Sequence, residues 1–201
     1  MITTDRQAVI AYPKDAHWYN KFYLSCKLGY NCGTHQIPVS GTWIVRPIVN
    51  LDGMGKDAVI AYMEQGTVIG PDMFYCEVFT GRHITIDYVR ENNQWLQHHT
   101  FEGFNTVDNL VEFSKWFRIY DEHPIPDFLQ SVESDHINIE TIGGNLIEVH
   151  LRANPDPVMY SEFWPIWSQH QQPPIGNYKR IIDKDDEVKM GRLGFFVLDN
   201  E

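Results

Sequence analysis

The sequence predicts an α+β fold, with antiparallel strands predominating and helices on one side of them. Three observations carry this reading. Apolar runs of strand length follow one another through short glycine-containing turns, as in "FYCEVF", "TGRH", "ITIDYVRE". A second such pair, "HINIETI" and "NLIEVHLR", flanks Gly143-Gly144. Only two stretches read as helix, so the regular strand–helix alternation of a parallel sheet is missing.

The elements follow in chain order. Asp15 to Leu28 spaces Trp18, Phe22, Leu24 and Leu28 as one face of a helix that ends at Gly29. Thr42 to Val49, "TWIVRPIV", is a short strand, and the turn "NLDGMGKD" leads into the strand "AVIAYM". The pair around "TGRH" comes next, and "QWLQHHTFEGF" continues that sheet. Leu110 to Tyr120 has a mixed pattern that fits strand or loop. Ile125 to Ser134 reads as a short helix with Pro126 in its first turn. After the last hairpin, "SEFWPIWSQHQQPPIGNYKR" is broken by prolines and is expected to wrap the surface. "RLGFFVLDN" is expected to add a terminal strand.

The 201 residues suit one domain or two closely packed lobes, and 43% hydrophobic with 13% aromatic residues suits a packed core. The formal charge is 16 − 27 = −11 without a basic block, which excludes a broad electrostatic surface for nucleic acid. No apolar run approaches the roughly 20 residues that span a bilayer, and Asp5 and Arg6 argue against a signal peptide. Cys26, Cys32 and Cys76 are odd in number and fit reduced, small buried thiols of a cytoplasmic protein. Their spacing with His35 is unlike a zinc site.

Three constellations could carry chemistry. In the last hairpin, strand alternation puts Glu148, His150 and Arg152 on one face and Ile147, Val149 and Leu151 on the other. A two-residue loop would set Ile139 beside the polar face, and a three-residue loop Asn138 and Glu140. The second case gathers Asn138, Glu140, Glu148 and His150, an oxygen-rich set suited to a hard cation; the bland alternative is a solvated strand face. In "IVRPIVNLDGMGKD", Arg46 ends a strand and a glycine turn carries Lys56, which suits phosphate, or an ordinary hairpin loop. In "CEVFTGRHITID", Glu77 and Phe79 precede a turn and Arg82 and His83 follow it. A carboxylate beside an apolar wall suits a purine and its ribose, or a plain hairpin.

Read in order, these pieces resemble the ATP-grasp superfamily, over roughly Asp15 to Pro155. The resemblance rests on Asn20-Lys21, "IVRP" (Ile44 to Pro47), "DGMGK" (Asp52 to Lys56), "EVFTGRHITID" (Glu77 to Asp87) and "IEVHLR" (Ile147 to Arg152). It implies two small lobes of antiparallel sheet with helices, gripping ATP between them and lacking the usual N-terminal substrate domain. Residues 1–75 would form a lobe with the glycine flap, 76–157 a lobe with the metal-binding hairpin, and 158–201 a C-terminal extension. Lys21 matches the early helix lysine, and Arg46 stands where a lysine contacts the α- and β-phosphates. Lys56 would cover the phosphates from the flap, while Glu77 and Phe79 would meet the adenine edge and face. His83 replaces the acid that holds the ribose hydroxyls. Glu148 matches the metal-bridging carboxylate and His150 replaces an asparagine ligand. Arg152 would steady a γ-phosphoryl or acyl-phosphate group. The acidic partner on the preceding strand is Asn138, Glu140 or Asp135.

The implied cofactors are ATP with Mg2+ or Mn2+, imidazole favouring manganese or zinc over magnesium. The implied activity is ATP-dependent carboxylate–amine ligation through an acyl phosphate, with Arg46 and Arg152 as catalytic groups. The partners would be a nucleotide and a carboxylate-bearing small molecule or peptide, with a protein partner to supply substrate binding. The alternative is a non-catalytic nucleotide- or protein-binding module. The chain also resembles compact ATP-grasp-like proteins of tailed bacteriophages, which would place it in the host cytoplasm. "FWPIW" (Phe163 to Trp167) is either packed on the sheet or an interface centre.

Overall fold

The computed structural model describes residues 2–51, 55–105, 110, 112–183 and 191–199. Two antiparallel sheets form the body. The smaller has four strands in the order β1-β4-β2-β3: β1 (Cys32–Gly33), β2 (Gly41–Pro47), β3 (Val59–Met63) and β4 (Met73–Glu77). The larger has eight, in the order β11-β12-β10-β7-β6-β5-β8-β9. They are β5 (His83–Glu91), β6 (Gln94–Asn105), β7 (Phe113–Arg118), β8 (His136–Ile142), β9 (Asn145–His150), β10 (Glu162–Ile166), β11 (Tyr178–Ile182) and β12 (Gly194–Leu198). Among the described residues no helix is long and apolar enough to cross a membrane.

The predicted helix over Asp15 to Leu28 is two pieces, a 3-10 turn at Ala16–Tyr19 and α2 at Lys21–Lys27. Asn20 breaks it: its side chain accepts from the Tyr23 N–H and caps the second piece. A helix that the apolar periodicity did not announce, α1 (Asp5–Ala11), starts at a capping box in which Thr4 and Gln7 satisfy each other's backbone N–H groups. Of the expected helix at Ile125 to Ser134 only the 3-10 turn Asp127–Leu129 forms. The next carbonyls are taken by side chains: Trp95 Nε1 donates to Gln130 O and Arg90 donates to Val132 O.

The proline-broken segment after Glu162 does not wrap the surface; it supplies β10 and β11 to the large sheet. Pro165 fits in β10 because pairing with β7 stops at Phe163, so no ladder hydrogen bond is lost on that side. Phe163 and Ile166 are fully buried, so "FWPIW" packs into the sheet. One face of the large sheet buries Ile84, Ile86, Tyr88, Ile137, Ile139 and Val149 against Ala8, Trp18, Tyr19 and Leu24 of the helical segments. The opposite face carries an aromatic cluster, Phe101, Trp116, Phe163 and Phe195, beside the polar hairpin side chains.

That hairpin settles the register question in an unforeseen way. Ile142 pairs with Asn145 across a two-residue turn, and both glycines have positive φ, 57° and 83°. Continued without interruption, this register would point Glu148 and His150 into the core. A bulge intervenes: Thr141 faces Leu146, but Glu140 faces Glu148. Ile147 is the extra residue, so it lines the cavity rather than joining Val149 and Leu151, and Leu146 takes its place in the core. Asn138 opposite His150 and Glu140 opposite Glu148 follow from it.

Candidate functional site

A cavity of about 870 Å3 lies between the two sheets. β2 and β3 contribute Ile44, Arg46 and Ile60, and the hairpin β8–β9 contributes Asn138, Glu140, Glu148 and His150. One stretch of its wall is aromatic, with Phe79, Phe113, Trp116 and Trp167. His83 stands at the seam between the aromatic and polar walls. Its ring lies 4.9 Å from that of Phe113, and its Nε2 lies 3.1 Å from Glu140 Oε2.

The polar wall is a continuous network. Lys21 donates to Glu148 Oε1, and Arg46 Nη1 lies 3.8 Å from the same oxygen. Arg46 Nη2 also donates to Ile147 O at 3.4 Å, and its guanidinium lies over the Phe74 ring at 5.3 Å. His150 Nε2 is 3.5 Å from Glu148 Oε2 and 3.8 Å from Glu140 Oε1, while its Nδ1 meets both Asp5 oxygens at 3.1 Å. Arg152 Nη2 donates to Asp5 Oδ2 at 2.9 Å, and Arg152 Nε lies 2.8 Å from Oδ1. All but Glu140 are less than a tenth exposed.

The charges explain one another. Burial opposes ionisation of Glu148, but Lys21, His150 and Arg46 outweigh it and hold the carboxyl well below its usual range. Burial is likewise outweighed at Glu140 by His150 and His83, and at Asp5 by His150 and Arg152. For His150 burial favours the neutral ring, yet the three carboxylates raise its pKa well above the usual imidazole value. Asp87 differs: burial pushes its carboxyl up to about 7, against a hydrogen bond from the Asn154 N–H.

The sequence-derived residues divide by placement. Lys21, Arg46, Lys56, Phe79, His83, Asn138, Glu140, Glu148, His150 and Arg152 line the one cavity. Glu77 turns the other way and accepts from the Asn31 N–H at 2.8 Å. Of the three candidates on the preceding strand, Asn138 and Glu140 line the cavity, whereas Asp135 is exposed and is not among its lining residues. Asn138 points its amide at β5, donating to Thr85 Oγ1 at 2.7 Å and Ile86 O at 3.3 Å. Residues 52–54 of the glycine flap lie outside the described residues. Glu140, Glu148 and His150 are the one group of potential ligands at metal-binding spacing among the described residues, so the three cysteines do not gather such a site. Cys26 is exposed rather than buried, with its Sγ 3.7 Å from Cys32 Sγ.

The pattern did not single out Asp5, Trp116 or Arg192 as site residues, although all three line the cavity. Arg192 comes from the turn before β12 and pairs with Asp156 at 3.0 Å and Asp183 at 2.9 Å. The Thr-x-x-Gln box at Thr4 to Gln7 was the available signal for the helix that presents Asp5.

No protein-family model matches the chain, and no curated protein sequence does. Its likeness is to solved structures. A protein from Archaeoglobus fulgidus described as of the ATP-grasp superfamily superposes with a TM-score of 0.57 and 11% identity over 92% of this chain and 65% of that one. Carboxyaminoimidazole ribonucleotide synthase from Aspergillus clavatus, complexed with ATP, gives 0.56 and 9% over 96% and 73%. N5-carboxyaminoimidazole synthetase from Staphylococcus aureus, complexed with ADP, gives 0.55 and 12% over 92% and 69%. This chain thus spans 65% of the archaeal protein's length. At such identities the likeness is one of architecture. With two antiparallel sheets, few helices and a cavity between the sheets, the chain has an ATP-grasp-like fold.

Proposed function

We propose that the protein is an ATP-dependent carboxylate–amine ligase working through an acyl phosphate. One observation carries this reading: Lys21, Arg46, Lys56 and Arg152 converge with two glutamates and a histidine on one cavity that also has an aromatic wall. A flat aromatic wall suits a nucleobase, and converging cations suit a polyphosphate.

In the proposed reaction a carboxylate oxygen of one substrate forms a bond to the γ-phosphorus, and the bond to the ADP oxygen breaks. An amine then attacks the acyl carbon, phosphate leaves, and the amine loses a proton. Lys21 and Arg46 reach the cavity beside Glu148 and would neutralise phosphate oxygens. Arg152, fixed by Asp5, would orient the transferred group. Cavity-facing atoms of Glu140, Glu148 and His150 fit a divalent cation such as Mg2+ or Mn2+, which would supply charge neutralisation at the phosphates. Carboxylate-bearing small molecules or peptides are the substrate class, with a protein partner to complete substrate binding.

A thermal shift with ATP and Mg2+ or Mn2+ tests the nucleotide site, and release of ADP and phosphate dependent on both a carboxylate and an amine tests the ligase. Turnover absent despite ATP binding would overturn the ligase. It would leave the second reading, a non-catalytic nucleotide- or protein-binding module. That reading is favoured by the internal pairing of Lys21 and Arg46 with Glu148 and of Arg152 with Asp5.

A further inference from the structure

The cavity has a second polar region that the proposed phosphate contacts leave unused. There Arg192 is shared between two acids: Nη1 lies 3.0 Å from Asp156 Oδ1, and Nε donates to Asp183 Oδ2 at 2.9 Å. Its guanidinium lies over the Phe195 ring at 4.2 Å. Asp156 is as firmly placed. Its N–H donates to Asn154 Oδ1 at 3.0 Å, and the Asn154 N–H donates to Asp87 Oδ1 at 2.9 Å, which clamps the loop to β5. Asp87 Oδ2 behind it is buried with no hydrogen-bond partner among the described residues. Asp156 itself lines the cavity with its side chain 16% exposed, so an incoming group can reach it. A guanidinium divided between two carboxyls neutralises each only in part, and Arg152 nearby is already occupied by Asp5. Burial pushes the Asp156 carboxyl up, Arg192 pulls it down, and Asp183 adds to the rise. Such a place suits a cation better than a further anion.

Beside this pair the wall is aromatic. Leu193 N–H donates to Ile166 O at 2.7 Å, continuing the pairing of β10 with β12, so Arg192 and Trp167 emerge at the same end of the sheet. Trp167 Nε1 donates to Phe113 O at 2.8 Å, and the Phe113 ring lies 4.4 Å from that of Trp116. Phe163 backs Trp116, with ring centres 6.4 Å apart. Phe79 belongs to a different neighbourhood, packed on Tyr30 at 4.6 Å beside β1. We propose that Asp156 and the Trp116–Trp167 wall form the subsite for the amine substrate, which enters as a primary ammonium on an aromatic or other flat apolar body. Asp156 accepts from the ammonium, and the body rests on the two tryptophans, whose faces also attract the charge. Arg152, within electrostatic range of Asp156, would hold the acyl phosphate close to the bound nitrogen.

That the ligand is a substrate rests on the ligase reading; that a cation binds here does not, so the test omits nucleotide. Phenethylamine is titrated into the full chain by calorimetry, with 2-phenylethanol and 3-phenylpropionate as its neutral and anionic counterparts. The amine should bind about 10–100-fold more tightly than the alcohol, the range of a hydrogen bond to a charged group, and the acid more weakly still. Asp156→Asn should remove that preference. Trp167→Leu should weaken amine and alcohol alike by about 3–10-fold. Should Asp156→Asn fail to fold, Asp183→Asn leaves Arg192 to Asp156 alone and should lower the preference for the amine severalfold. Equal binding of amine and alcohol, or a preference untouched by the substitutions at Asp156 and Asp183, would overturn the subsite. Unchanged affinities in Trp167→Leu would overturn the role of the aromatic wall. If the amine binds as expected but is never consumed with ATP and carboxylates, the ligase reading falls and the cation subsite stands.

Discussion

Arg46 Nη1 and Glu148 Oε1 meet at 3.8 Å across the gap between the two sheets, one residue from β2 and the other from β9. This contact, with Lys21 on the same oxygen, joins the small sheet to the large one through the floor of the cavity. Both partners are less than a tenth exposed, so the pair is sensitive to loss of either member.

Glu148→Gln should therefore destabilise the protein, by roughly 3–5 kcal/mol, because two buried cations lose their shared anion. Urea unfolding monitored by tryptophan fluorescence measures this. The same variant should lose the metal-dependent part of any stabilisation by ATP. A parental response to ATP and metal would remove Glu148 from its proposed role.

Asp87 gives a pH dependence of definite sign. Burial raises its pKa from 3.8 to about 7, and it faces Arg152, Asp156, Asn138 and the Asn154 N–H. The folded state thus holds a proton that the unfolded chain has already released between about pH 4 and pH 7. Its stabilising contribution is complete below pH 4 and declines as pH rises to 7, by on the order of 2–4 kcal/mol. Asp87→Asn should remove that decline, so that the gap between variant and parent grows in the variant's favour up to pH 7 and is level above it. Unfolding midpoints across pH 4–8 check this; parallel curves would refute it.

Gly143 sits at φ 57°, and a Cβ there would lie 2.1 Å from Thr80 O. Gly143→Ala should cost about 2–4 kcal/mol, from the left-handed backbone and from displacement of the Thr80 segment. Gly144 has open space, so Gly144→Ala pays only the backbone part. Equal losses at the two positions would show that the close approach to Thr80 does not matter.

Cys26 and Cys32 should form a disulfide on exposure to oxidised glutathione. Their sulfurs are 3.7 Å apart, and Cys26 is exposed. Burial pushes the Cys32 thiol up to about 12, so the Cys26 thiolate attacks first and Cys32 resolves the mixed disulfide, releasing two reduced glutathiones. Peptide mass mapping should find Cys26 linked to Cys32 with Cys76 still a thiol; glutathione persisting on Cys26 would contradict this.

Local pattern made the middle of the fold legible: the runs that became β2 to β6, β8 and β9 alternate or cluster as strands should, and glycine turns mark their ends. Cavity-lining residues carried on those strands, among them Glu148, His150, Arg46 and His83, were legible with them. Contacts between distant segments were not. Nothing near Asp5 in the chain says that it will meet His150, 145 positions away. Nor does the turn sequence reveal the bulge at Ile147, because two-residue and three-residue turns both fit paired glycines. Pro165 hid β10 for a related reason: a proline is harmless in a strand only where the neighbouring strand has stopped pairing, and that is a tertiary fact.

The odd residue count at Ile147 makes this hairpin a length gauge. Deleting Ile147 would straighten the ladder and keep Glu148 opposite Glu140 and His150 opposite Asn138, whereas pairing Ile147 with Glu140 at the present length would swing both acid and imidazole inward among Ile139 and Val149 and leave aliphatic side chains facing the cavity. Divergent versions of this chain should consequently keep the extra residue with its bulge or lose the two together, since either arrangement holds Glu148 opposite Glu140.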